Sequence, residues 1–157
     1  MKLYPESNYS IEIKNDSSIA LSNLKNKTLP KEQFVINWNK QAFLGEIERN
    51  KFELKLSKKM LGGICVIRGE LENKKGTLEI RTSKMYKIIF IVIILFALSG
   101  IITGIIQNQL GLGLIFNLIM LILVFRFVFL EIGFRIISKS GINKLTEIIE
   151  IKKIKMK

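Results

Sequence analysis

The fold is decided by residues 88–125, which read IIFIVIILFALSGIITGIIQNQLGLGLIFNLIMLILVF and contain no charged side chain. A helix needs about 20 apolar residues to cross a bilayer core, so this stretch is long enough for two crossings. Three amides at positions 107–109, followed by Gly111 and Gly113, interrupt the apolar run once. Backbone polar groups in lipid must bond within their own segment, which requires helix on both sides of the interruption. The sequence therefore predicts a transmembrane hairpin with helices at residues 86–106 and 110–129.

Basic residues flank this hairpin on both sides. The chain has 157 residues and a formal net charge of +12, divided as +6 over residues 1–84, +1 over 85–134 and +5 over 135–157. By the positive-inside rule both termini are expected to be cytoplasmic, with the tip on the other side of the inner (plasma) membrane. The interfacial charges nearest the hairpin are Lys84, Lys87, Arg126 and Arg135. Such side chains gain roughly 1 kcal/mol each near anionic headgroups, so the expected partner is the lipid bilayer and not nucleic acid.

The segment before the hairpin, residues 1–84, has the pattern of a small cytoplasmic α+β domain. Apolar and polar residues alternate from Tyr9 to Lys14, which indicates a half-buried strand, and Asp16 or Ser17 can cap a following helix. Further alternating runs predict a meander of four or five antiparallel strands, one face buried and one wet. One strand runs from Ile64 to Glu72, and the alternating residues of the others are Phe34, Ile36 and Trp38, then Phe43, Gly45 and Ile47, then Phe52, Leu54 and Leu56, and last Leu78, Ile80 and Thr82. Residues 73–76 are expected to form a tight turn, with Gly76 at positive φ.

Residues 135–157 are predicted to form an amphipathic helix with a basic tail. Ile142, Leu145, Ile148 and Ile149 recur at helical spacing, with a start near residue 140. We expect this helix to pack on the sheet of the 1–84 domain; the alternative is a helix lying on the membrane surface. Residues 152–157 are too charged to pack and are expected to fray. The fold class is thus α+β, an antiparallel meander covered by one or two helices, with the hairpin inserted before the C-terminal helix.

One set of motifs resembles a known family. The spacing F-x-G-x-I-x-x-N-x-F at residues 43–52 is followed by V-I-x-G-x-L at 66–71, by G-T-x-x-I at 76–80 and then by the hairpin. This arrangement resembles a family of small, uncharacterised bacterial membrane proteins with a cytoplasmic α+β domain, to which no activity is assigned. The element order is also similar to helix-grip ligand-binding domains. That second likeness concerns fold alone, and it implies a place to look for an apolar cavity, between the sheet and the C-terminal helix.

Small residues on the first hairpin helix indicate close helix packing. Ala97, Gly100 and Gly104 lie on one stripe, where small side chains let two helices approach closely. The stripe either packs against the second helix of the same chain or mediates self-association into a homo-oligomer.

Two polar residues of the second hairpin helix need an explanation. Asn117 is expected opposite Ile101, where Ser99 and Thr103 could hydrogen-bond its amide and so fix the helix register; contact with an ion or solute is the alternative. Arg126 lies close to the cytoplasmic surface, where its side chain could snorkel to the headgroups. The alternative for Arg126 is a functional role inside the membrane.

The side-chain inventory disfavours an enzyme. The chain has no histidine and one cysteine, Cys65, on a strand where it is expected in the core, so neither a catalytic site nor a metal or cofactor site is expected. The leading hypothesis is a membrane-anchored module that binds an unknown protein partner or an apolar ligand. The first alternative is an accessory subunit of a membrane complex that recognises partner helices through the hairpin. The second is membrane remodelling by the basic C-terminal helix.

Overall fold

A computed structural model of the chain describes residues 4–29, 42–57, 62–107 and 111–156. These residues form a mixed α+β fold with seven strands and a long helical hairpin. The strands are β1 (Glu6–Ile13), β2 (Thr28–Leu29), β3 (Phe43–Glu48), β4 (Lys51–Leu56), β5 (Cys65–Glu72), β6 (Lys75–Thr82) and β7 (Ile151–Met156). The helices are α1 (Ser17–Asn26), α2 (Lys84–Ile106), α3 (Leu112–Val124), a π-helical segment (Phe125–Ile132) and α4 (Gly133–Ile149).

The strands form one sheet in the order β2-β3-β4-β5-β6-β1-β7. Strands β3 to β6 are consecutive antiparallel neighbours, which confirms the predicted meander. Strand β1 pairs antiparallel with β6 and β7, whereas the two-residue strand β2 runs parallel to β3. The expected strand at Phe34, Ile36 and Trp38, and the polar residues Asn108 and Gln109 at the hairpin tip, lie outside the described residues.

The hydrophobic core lies on one face of this sheet. Alternation along the strands places Leu54, Ile67 and Ile80 side by side across β4, β5 and β6, and each is at most 1% exposed. Helix α1 contributes Ala20 and Leu24 to the same core. It begins after Asp16, the expected capping position, although that side chain makes no capping hydrogen bond.

Helix α4 covers the remaining core and packs on the sheet, as the sequence predicted. Its buried residues are Phe134, Ile137, Ser138, Gly141, Leu145 and Ile149. Gly141 permits the close approach, because a Cβ at this position would lie 2.6 Å from Ile67 Cδ1 and 3.3 Å from Leu56 Cδ1. At this point of the sheet–α4 interface there is no room for the apolar cavity that the helix-grip likeness suggested.

The hairpin helices are long and apolar enough to cross a bilayer. The first matches its predicted span closely, since α2 runs from Lys84 to Ile106. The predicted end of the second helix near residue 129 is wrong, because α3, the π segment and α4 form one continuous helix, Leu112–Ile149. The expected break near residue 140 is absent from it. Inward residues such as Phe134 and Ile137 give the helix an apolar face against the sheet beyond the hairpin, so nothing stops it there.

Residues 152–156, the described part of the segment expected to fray, form a strand instead. Helix α4 ends at Glu150, whose φ of 52° turns the chain, and the Lys14 amide donates to the Glu150 carbonyl at 3.0 Å. Strand β7 then pairs with β1, with Ile11 opposite Ile154. Its lysines lie on an edge strand, where long charged side chains reach solvent while the backbone pairs on one side. High charge is therefore compatible with order at this position.

The β5–β6 turn also differs from the expectation. Asn73 has the positive φ, 53°, whereas Gly76 lies within β6 and does not have a positive φ. A Cβ on Gly76 would lie 2.7 Å from the Glu70 carbonyl oxygen. The glycine is thus needed for a close approach between strands, and asparagine, which tolerates the left-handed region, makes the turn.

Candidate functional site

The small-residue stripe of α2 faces α3. Ala97 and Gly104 are buried, and a Cβ on Gly100 would lie 3.5 Å from Leu118 Cδ1. The stripe therefore lies in the seam of the hairpin. The structure contains one copy of the chain, so self-association through other faces of α2 is a separate question.

Asn117 does not lie in this seam. Its side chain is exposed on α3. The hydroxyl of Ser99 donates to the Phe96 carbonyl at 2.8 Å, and that of Thr103 donates to the Ser99 carbonyl at 2.9 Å. Both hydroxyl protons are donated to carbonyls of α2 itself, and among the described residues no hydrogen bond joins Ser99 or Thr103 to the Asn117 amide.

An aromatic layer marks the end of the apolar part of the hairpin. Phe90 of α2 stacks on Phe125 at 5.9 Å between ring centroids, and Phe125 stacks on Phe129 at 5.3 Å. Tyr4 meets Phe90 edge-on, and the Lys87 ammonium lies 5.0 Å from the Tyr4 ring. Aromatic and basic residues at one level of two apolar helices are typical of a membrane–water interface.

Arg126 lies in the sequence between Phe125 and Phe129 of this layer, and its side chain is packed inward. Only 8% of the residue is exposed, and Nη1 donates to Glu131 Oε2 at 3.3 Å. Arg126 and Glu131 are five residues apart, which is one hydrogen-bonded turn of a π-helix, so the π segment places these side chains one above the other. The described geometry is thus a buried ion pair and not an arginine extended toward headgroups.

The same carboxylate binds a second arginine. Arg135 donates from Nε and Nη2 to Glu131 Oε1, at 3.2 and 3.1 Å. Unlike Arg126, the Arg135 side chain is 76% exposed. Glu131 therefore joins one buried and one exposed guanidinium. Sequence reasoning did not single out Glu131, although the four-residue spacing to Arg135 is a standard helical ion-pair signal.

These charges line a cleft, which we call the junction cleft because it lies between the hairpin and the α+β domain. Its volume is about 870 Å³. The polar lining residues are Glu6, Ser7, Arg126, Glu131, Arg135, Ser138, Lys139 and Asn143, and the apolar ones are Pro5, Tyr9, Phe127, Phe134, Ile142 and Met156. Three cationic side chains thus share a cleft with two carboxylates and an apolar wall.

A second, shallower groove of about 380 Å³ lies on the outward face of the sheet. Arg68 pairs there with Glu53 at 2.8 Å, and Glu79 lies opposite Arg68 on β6. Glu46, Glu48, Lys51 and Glu70 also line this groove. Most of the charged side chains that line this groove are acidic, and two of its carboxylates form ion pairs, Glu53 with Arg68 and Glu70 with Lys51.

Cys65 lies under α4, in the core position expected for it. The residue is 2% exposed, and its thiol lies 3.8 Å from the Phe134 carbonyl oxygen. Burial raises the pKa of the Cys65 thiol from 9.0 to about 12, so the thiol is neutral at physiological pH. A neutral buried thiol is a packing residue and a poor nucleophile.

Among the described residues, His, Cys, Asp and Glu side chains form no group of three that could hold a metal ion. No protein-family model, curated protein or solved structure matches the chain. The resemblance to a bacterial membrane-protein family therefore stays a prediction. The candidate site is defined by geometry alone, and the junction cleft is the place where buried charge, exposed charge and an apolar wall meet.

Proposed function

We propose that this chain is an integral membrane protein that holds a small cytoplasmic α+β domain at the inner leaflet, where the domain serves as a non-enzymatic binding module. Two helices have the length and apolarity of membrane spans. The uncharged tip and the basic flanks favour a topology with both termini cytoplasmic. The aromatic layer of Tyr4, Phe90, Phe125 and Phe129, with Lys87 beside it, is what an inner-leaflet interface requires.

The observation that carries this proposal is the continuous helix from Leu112 to Ile149. Its first part is uncharged, and its last part presents Leu145 and Ile149 to the core of the sheet. One helix therefore belongs to the hairpin and to the domain at once. A domain fixed in this way, and not tethered by a flexible linker, presents the same faces to the membrane and to the cytoplasm at all times.

A binding role is favoured over catalysis by the kinds of side chain present. The chain has no histidine, the Cys65 thiol is neutral and buried, and the outward carboxylates balance neighbouring cations. Because the sheet–α4 interface is closed at Gly141, a protein partner is favoured over an apolar ligand held in the core.

The experiment is an exchange of the hairpin. Residues 88–125 are replaced by an unrelated two-helix hairpin, and the full-length protein is purified in detergent together with its partners. If the domain is the recognition element, the same proteins co-purify with both chains. If every partner is lost while the Cys65 thiol still reacts slowly with a thiol reagent, which shows that the domain is folded, the proposal is contradicted.

The alternative, an accessory subunit that recognises partner helices through the hairpin, is favoured by one observation. Asn117 is exposed on an otherwise apolar helix, and an amide facing lipid alone is unfavourable. A partner helix could accept or donate hydrogen bonds there. Asn117→Leu should then abolish co-purification while leaving the seam at Gly100 and Leu118 intact. Undiminished co-purification would remove this alternative.

A further inference from the structure

We propose that the junction cleft binds the phosphate of an anionic phospholipid, with its apolar wall against the upper acyl chain. This proposal rests on the proposed function, the placement of the hairpin in a membrane, and adds to it a ligand class, anionic phospholipids, and a binding site, the junction cleft. The cleft includes Arg126, which is the first charged residue after the uncharged run of residues 88–125 and lies in the sequence between the layer residues Phe125 and Phe129. Its level is therefore that of headgroups, where lipid phosphates are the most abundant anions.

The charges of the cleft suit a single anion. Arg126, Arg135 and Lys139 provide three positive charges, and Glu6 and Glu131 provide two negative ones, so the cleft carries one net positive charge. Glu131 accepts from both arginines and so holds them beside each other. Guanidinium groups have five donors in a planar fork that matches phosphate oxygens, and the exposed Arg135 has donors beyond the two that Glu131 uses.

The cations lie along one side of a single helix. Arg135 and Lys139 are four residues apart on α4 and therefore neighbours on its surface. The π segment places Arg126 in line with Glu131, which itself is one turn before Arg135. A local change of helix type thus brings a residue of the hairpin into register with residues of the domain, and π segments are frequent at functional sites.

The apolar wall distinguishes a lipid from a free anion. Phe127, Phe134 and Ile142 of the continuous helix line the cleft together with Pro5 and Met156 from other parts of the chain. Phe127 is 46% exposed. A free phosphate would leave these groups in water, whereas the glycerol and first methylenes of a phospholipid would cover them.

The test uses full-length protein in nanodiscs of phosphatidylcholine with and without phosphatidylglycerol, extracted gently and examined by native mass spectrometry for retained lipid. We expect retained phosphatidylglycerol in preference to phosphatidylcholine. Arg135→Gln and Lys139→Gln should each reduce its retention about tenfold, the effect of losing one charge-assisted hydrogen bond.

The matched controls are Lys152→Gln and Lys153→Gln on β7, which remove the same charge outside the cleft. If the cleft variants and the control variants lose equal amounts of retained phosphatidylglycerol, the lipid is attracted by the overall positive charge, and the proposed site is wrong. Displacement of the lipid by inorganic phosphate would assign the site to a free anion instead. Failure of the chain to enter nanodiscs would refute the membrane proposal itself, which is a different result.

Discussion

The neighbouring residues Ile136 and Ile137 of α4 have opposite environments. Ile137 is 3% exposed and packs in the core, whereas Ile136 is 61% exposed. Replacing each by alanine removes the same atoms and changes helix propensity by the same amount. The difference between Ile137→Ala and Ile136→Ala therefore measures only the burial of α4 against the sheet. A helix lying on the membrane surface would not produce the same difference.

The magnitude follows from the cost of deleting a buried aliphatic side chain. Isoleucine to alanine in a core costs about 2–5 kcal/mol, and an exposed substitution costs about 0.5 kcal/mol or less. Ile137→Ala should therefore be less stable than Ile136→Ala by about 2–4 kcal/mol. Each 1.4 kcal/mol is about a factor of ten in an equilibrium constant, so the opened state should be about 30- to 1,000-fold more populated.

Cys65 provides the assay, because it is the single cysteine of the chain and lies beneath α4. The full-length protein in detergent is treated with a thiol reagent in the absence of denaturant. When the protein recloses faster than the reagent acts, the labelling rate is proportional to the population of the opened state. The rate ratio of the two variants then gives their difference in opening free energy.

The expected result is that Ile137→Ala is labelled about 30- to 1,000-fold faster than Ile136→Ala. Wild-type protein should be labelled at nearly the rate of Ile136→Ala. Equal rates in the two alanine variants would refute the packing of α4 on the sheet. Rapid labelling of the wild type would refute the burial of Cys65.

Three further predictions concern the α+β domain. Gly45→Ala should lower the free energy of unfolding in urea by about 1–3 kcal/mol, because its Cβ would lie 2.9 Å from Leu54 Cα. Gly63→Ala, whose Cβ would lie 3.8 Å from its nearest neighbour, should leave that free energy nearly unchanged. Equal stabilities of the two variants would contradict the contact at Gly45. Asn73→Val should destabilise the domain by about 1–2 kcal/mol and Asn73→Gly should not, as thermal unfolding would show; a neutral valine would contradict the positive φ of this turn. Stability should fall as pH rises above 9, because the unfolded Cys65 thiol ionises near 9.0 while burial raises the folded pKa to about 12. In Cys65→Ala, the free energy of unfolding should not show this decrease above pH 9. An unchanged decrease would contradict the assignment to Cys65.

Residue patterns predicted the elements whose signal is local. The uncharged run of residues 88–125 indicated the two hairpin helices, and strict alternation in β3, β4 and β6 indicated the meander. The positions that were wrong depend on distant contacts. Nothing local shows that the helix continues past residue 129, because its support there is the sheet surface around Ile67. Likewise, Lys-rich β7 is ordered by pairing with β1, which lies at the other end of the chain.

The candidate site was predictable only in its parts. Arg126 and Arg135 were identified from their closeness to the apolar run, but their joint contact with Glu131 depends on a π segment that periodicity does not reveal. Asn117 was assigned to the hairpin seam by counting from the tip. Leu118 meets Gly100, as that count requires. The count gives the level of a residue along the helix and not its face, and Asn117, one residue away from Leu118, is exposed on another face.

The membrane topology is the most direct test of the claim that residues 88–125 form a transmembrane hairpin with both termini in the cytoplasm. In a Cys65→Ala background, single cysteines are introduced as Gly111→Cys at the hairpin tip and Lys152→Cys on β7, both at exposed positions. Spheroplasts are treated with a membrane-impermeant maleimide before and after permeabilisation. We predict that Gly111→Cys is labelled in intact spheroplasts and Lys152→Cys only after permeabilisation. Labelling of Lys152→Cys in intact spheroplasts, or recovery of the full-length chain in the soluble fraction without detergent, would contradict the account.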